Sequence, residues 1–135
     1  MIYLNHMIKQ ILYHFLKNIV YVFSFFHIRI YVMIIFALNF SIWLAAYFVN
    51  TNAVQNLIVL HYNVNFGVDL IGGAEKLFII PVLGLVIIFI NLFLVFVFSK
   101  DKNFKFIAHL LLASCVIVDL FLLIALLLVF LINFR

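Results

Sequence analysis

The sequence predicts an all-α membrane protein, with three transmembrane helices behind an N-terminal interfacial amphipathic helix. Three observations predict it. Of the 135 residues, 70% are hydrophobic and 9% are charged, and the mean hydropathy is +1.41. Soluble domains run at about 45–50% apolar and about 25% charged, so the excess here needs lipid to cover it. Three stretches long enough to cross a bilayer carry a single charge between them. The first thirty residues, also apolar, gather their basic and histidine side chains on one arc.

Residues 1–30 form the first region. At 100° per residue, His6, Lys9, Gln10, His14, Lys17, Ser24 and His27 fall on one side of a helix, and Leu4, Ile8, Ile11, Phe15, Ile19, Val22 and Phe26 on the other. Tyr3, Tyr13 and Tyr21 join the polar side, where their hydroxyls reach water. Such a helix suits the membrane interface. The competing reading is a fourth span from about Ile11 to Ile28, which would bury Lys17 at a cost of roughly 2.5–3.5 kcal/mol. This basic stretch is too long for a secretory signal, and no small-x-small site follows it at the usual distance, so no cleavage is expected.

Residues 31–135 form the transmembrane region. Its spans are Tyr31–Val49, Leu77–Phe98 and Phe106–Ile132, the last carrying Asp119. A hydrocarbon core of about 30 Å takes about 20 helical residues. Pro81 falls in the first turn of the second span, where its missing N–H removes little. Six of the eight basic residues lie in residues 1–30 and in the 99–105 connection, against Lys76 and Arg135 elsewhere. The positive-inside rule then predicts a cytoplasmic N-terminus and an external C-terminus. Trp43 and Tyr47 fall near the outer end of the first span, where aromatic belts form.

The outer connection, residues 50–76, is the long polar stretch. His61, Asn63 and Asn65 alternate with Tyr62, Val64 and Phe66, which predicts an extended segment, with turns at Gly67 and at Gly72-Gly73. The run His61-Tyr62-Asn63, then Gly67, Asp69, Gly72 and finally Pro81 resembles the motif of the bacterial membrane domains that open Sdp-immunity-type integral membrane proteins. His61, Asn63, Asp69 and Gly72 match in type and spacing. Gly67 sits one place late, the proline usual before the aspartate is missing, and Gly73-Ala74-Glu75-Lys76 replaces Gly-Ser-Lys. The resemblance spans about residues 58–95 and extends to small membrane proteins of A/T-rich, reduced-genome bacteria. It implies an envelope location and no catalytic activity.

Read on their own, His61, Asp69 and Glu75 could supply nitrogen and oxygen to a divalent metal. His61 and Asp69 lie far apart in an extended stretch, without a tight pair of ligands, so turn closure and backbone capping are favoured and no metal is expected.

Inside the spans, Asn39 and Asn91 each lie about eight residues from the cytoplasmic side, about 12 Å deep, and Asp119 roughly 20 Å from the start of its span. The Asn pair can meet at that depth. A lone carboxyl there is expected to face the bundle in its protonated form and to donate a hydrogen bond to Asn91 or Asn39. Glue between helices is favoured over a proton relay, because Asp119 has no basic partner at spanning depth. Cys115, four residues before Asp119, reads as a packing residue, and His109 as a headgroup-level one.

Nucleophile patterns, phosphate-binding glycine loops and His-Glu zinc motifs are missing from the sequence, so neither an enzyme nor a cofactor is expected. The basic residues are too few for a nucleic-acid partner. The expected partners are the lipid bilayer and a membrane protein. The sequence therefore predicts a non-enzymatic envelope accessory or interaction protein that uses its outer loop. The alternative is a small hydrophobic subunit of a respiratory or transport complex, with Asp119 in proton movement. A bias to Phe, Ile and Asn, read from A/T-rich codons, would suit an organelle-encoded subunit as well as a bacterial protein.

Overall fold

The computed structural model describes residues 2–53, 57–63, 65 and 67–134, with the side chains of residues 2–6, 8, 11, 14, 15, 61–63, 68 and 69 outside that description. In chain order come α1 (Ile2–Ser24), α2 (Phe26–Asn52), β1 (Leu57–Asn63), β2 (Gly67–Gly73), a 3-10 segment (Ala74–Phe78), α3 (Ile79–Val97) and α4 (Phe104–Phe134). With the 3-10 turns at its two ends, α3 extends over Ala74–Lys100, so three helical stretches of 27, 27 and 31 residues are long and apolar enough to cross a membrane. Only 28%, 22% and 17% of their most apolar windows is buried inside the molecule. Lipid must cover the rest, and the chain is an all-α, multi-pass membrane protein.

The three spans meet along seams of three- and four-residue steps. On α2 the buried positions are Ile28, Ile35, Asn39, Ile42, Ala46 and Val49. On α3 they are Pro81, Gly84, Ile88 and Val95, and on α4 Phe104, Ala108, Leu112, Cys115, Asp119, Leu126 and Val129. Such spacing is the coiled-coil seam, with small residues letting backbones approach. The seam is divided. One apolar cluster, with Ile28, Ile35, Ile88, Val95, Phe104 and Leu112, fills the end nearest α1. A second, with Ile42, Val49, Ile58, Leu77 and Leu126, fills the end nearest the strands. Asn39, Gly84 and Asp119 lie between them.

Helix α1 ends at Ser24, and the chain turns at Phe25 with extended backbone (φ −78°, ψ 119°) before α2 begins. The predicted boundary near residue 30 therefore moves to residue 25, and α2 takes in Arg29. No Gly or Pro makes this break. The Ser24 hydroxyl donates to the Tyr21 carbonyl at 2.6 Å, and the Phe25 ring lodges against Tyr21 and Phe104, with centroids 5.3 and 5.4 Å away. The turn also resets the helical phase. Phe26, expected on the apolar face of one continuous helix, points outward under the Arg29 guanidinium. His27 turns inward, its ring stacked on that of His109 at 4.5 Å.

The connection between α2 and α3 folds as a hairpin. β1 pairs antiparallel with β2 from Leu57↔Gly73 to Asn63↔Gly67, and the register slips at two places, leaving Leu60 and Asp69 as the extra residues of two bulges. Gly67 enters β2 at φ 79°, a conformation that costs glycine little. Gly72 and Gly73, expected in a turn, instead close β2. At Gly72 a Cβ would lie 2.7 Å from Leu60 Cδ1, so a larger residue there would make the end of that side chain shift.

Candidate functional site

Three places gather the residues that the sequence singled out. The first is the polar layer between the apolar clusters. Asn39 is 2% and Asp119 1% exposed, and both sit on the seam among apolar neighbours. The Asn39 amide donates to the Pro81 carbonyl on α3 at 3.2 Å, and both it and the Asp119 carboxyl of α4 lie against Gly84. One asparagine thus bonds α2 to α3 beside a carboxyl of α4. The Pro81 carbonyl can accept because a carbonyl oxygen has a second lone pair beyond its helical bond. Gly84 makes the room: a Cβ there would press into Asn39 Nδ2 and lie 2.9 Å from Asp119 Oδ1. Asp119 Oδ2 is buried without a hydrogen-bond partner.

Asn91 does not join this layer. Its side-chain amide donates to the Ile87 carbonyl of its own helix at 3.0 Å. The buried residues toward that end of α2 and α4, such as Ile35 and Leu112, are apolar, so the helix backbone is the partner within reach. The predicted meeting of Asn91 with Asn39 is replaced by Asn39 with Asp119. Gly84 escaped notice in the sequence because one glycine in an apolar run carries no sign of what opposes it.

The second place is the hairpin. His61 and Asn63 lie on β1 and Asp69 on β2, with His61 opposite Leu70 between the two bulges, while the side chains of all three lie outside the described residues. Gly67 and Gly72 hold the backbone positions given above. The hairpin is fixed to the bundle by Asn133 at the end of α4. The Val59 N–H donates to Asn133 Oδ1 at 2.8 Å, and Asn133 Nδ2 donates to the Val59 carbonyl at 2.9 Å and to the Val129 carbonyl at 2.8 Å. Asn133 therefore imitates a neighbouring strand. Sequence reasoning missed it, although a lone amide in the last turn of an apolar helix is a visible signal. Ile58 is buried beneath the hairpin, while Leu57, Leu70 and Ile71 are more than half exposed.

A third cluster lies at the opposite end. The His27 and His109 rings stack, Tyr31 meets His109 edge-on at 5.5 Å, and His27 Nε2 is buried without a partner. Face-to-face imidazoles do not direct their in-plane lone pairs at a common metal. Among the described residues no three of His, Cys, Asp and Glu come together. No protein-family profile matches the chain, and no curated protein or solved structure is found similar to it.

Proposed function

We propose that the protein is a non-enzymatic envelope accessory or interaction protein that presents its hairpin on the outer face of the membrane to a membrane-protein partner. The observation that carries this reading is the contrast within the hairpin. Asn133 fixes β1 to the end of α4, yet Leu57, Leu70 and Ile71 stay exposed on a strand pair held rigidly above the bundle. Rigid presentation of apolar side chains lowers the ordering cost of binding, and exposed apolar groups at such a place mark contact surfaces. The residues His61, Asn63, Gly67, Asp69 and Gly72, whose run resembles the motif of the domains that open Sdp-immunity-type proteins, fall on this same hairpin, and the resemblance agrees with an envelope role. The orientation proposed, hairpin out and α1 in, follows the basic residues, since Lys17, Lys100, Lys102 and Lys105 all lie at the α1 end.

A photo-crosslinking amino acid at Ile71, in cells making the full chain, tests the reading. One discrete protein adduct, reduced by Leu70→Asp, supports it; adducts to lipid alone contradict it and place this face of the hairpin in the bilayer surface.

The rival subunit reading draws on one observation, the unpartnered Asp119 Oδ2 in the middle of the bundle. It requires that Asp119→Asn abolish an ion-coupled activity of a host complex, whereas a hairpin function survives that change.

A further inference from the structure

Where α1 crosses the end of α3, a cleft of about 320 Å³ opens between Lys17, Asn18 and Tyr21 on one side and Ser99 and Lys100 on the other. Both charged residues that line it are lysines, and both are exposed. The nearest carboxylate in sequence, Asp101, is engaged elsewhere, accepting the Asn103 N–H at 2.7 Å. A second cleft, sharing Tyr21, adds Lys102 and Lys105 to the same surface, with Asp101 lining it beside them. The chemistry collected here is two ammonium groups with hydroxyl and amide groups beside them, which is the chemistry of a phosphate receptor.

The cleft does not end in water. Asn18 is shared with an adjoining apolar groove of about 460 Å³, whose other walls are Phe89, Leu92, Phe93, Phe96 and Val97. From Lys100 to Phe89 along α3 is about 16 Å at helical rise, the depth of much of one bilayer leaflet. A polar cleft with two cations at the bilayer surface and an apolar groove running from it into the hydrocarbon match one molecule in both halves. We propose that this is a binding site for an anionic glycerophospholipid, with the phosphate between Lys17 and Lys100 and one acyl chain along Phe89, Phe93 and Phe96. A neutral lipid would fill the groove equally well but lacks the net charge that the lysine pair selects. A free anion would satisfy the lysines but gains nothing from the groove. The site couples α1 to the spans, because Lys17 and Lys100 belong to different elements and repel each other until an anion lies between them.

The test is lipid binding to the full chain in detergent by native mass spectrometry. Phosphatidylglycerol and phosphatidylcholine with the same acyl chains are compared, and inorganic phosphate is offered as competitor. The proposal expects phosphatidylglycerol to be favoured, phosphate to compete poorly, and Lys17→Gln and Lys100→Gln each to weaken it about fivefold, the scale of one lysine at an anionic surface. Lys102→Gln with Lys105→Gln, outside the cleft, should weaken it much less, and Phe93→Ser should lower binding of both lipids alike. Unchanged thermal unfolding of each variant before lipid is added separates loss of the site from loss of the fold. Equal binding of the two lipids by the native chain overturns the proposal. So does efficient competition by phosphate, which would make this a free-anion site, and so does an equal loss in the Lys102/Lys105 variant, which would reduce the preference to general surface charge.

Discussion

Gly84 shows how much one missing methyl can decide. A Cβ there would occupy space now held by the Asn39 amide and the Asp119 carboxyl, so Gly84→Ala must push apart the groups that join α2, α3 and α4. Overpacking of a close-packed site costs about 1–3 kcal/mol, and the lost hydrogen bond adds to it. Thermal unfolding in detergent should fall clearly for Gly84→Ala and recover in part when Asn39→Ala removes the obstructing amide. Asp119→Asn keeps the shape and a hydrogen-bonding group, so it should leave unfolding almost unchanged. Asp119→Leu removes both and should cost about 1 kcal/mol, the scale of a hydrogen bond within a membrane. If the Asn and Leu variants unfold alike, the carboxyl makes no bond that matters to the bundle. Asn39 and Asp119 were legible in the sequence, because polar groups in uncharged spans are expensive and therefore conspicuous. Which of them meet was not, since the choice between Asn39 and Asn91 depends on the phase of each helix against its neighbours.

At the scale of elements, the spans were readable from hydropathy and their seams from three- and four-residue spacing, whereas the ends were set by contacts distant in sequence. The break between α1 and α2 depends on Phe104, about eighty residues away, receiving the Phe25 ring. The hairpin depends on Asn133, which bonds both backbone groups of Val59. Period-two alternation over 61–66 pointed to extended chain, which β1 shows as far as Asn63, while Val64 and Phe66 lie outside the described residues, and it could not reveal bulges at Leu60 and Asp69. Asn133→Ala would leave the Val59 N–H and carbonyl to water, a net loss of about 1 kcal/mol for each bond. Hydrogen exchange at Val59 should then accelerate while amides of α4 around Leu112 keep their protection. Uniform acceleration over both would mean that Asn133 supports the whole bundle and not the hairpin.

Across the whole molecule, the two apolar clusters, the polar layer between them and the basic end form one ordered series along the helix bundle. Packing against lipid supplies little hydrophobic drive between helices, so close approach and buried hydrogen bonds have to fix the register. A polar group at a seam position does this by making any shifted pairing leave a donor or acceptor unpaired in hydrocarbon. Asn39 and Asp119 occupy seam positions of that kind. The central claim, three spans with the hairpin on one side and the 99–105 connection on the other, is tested most directly by labelling. Single cysteines at Ile71 and Asn103, both exposed, are placed in a Cys115→Ala background and treated with a membrane-impermeant maleimide. Ile71→Cys should react in intact cells and Asn103→Cys only after the membrane is opened; reaction of both from the same side would contradict the three-span fold.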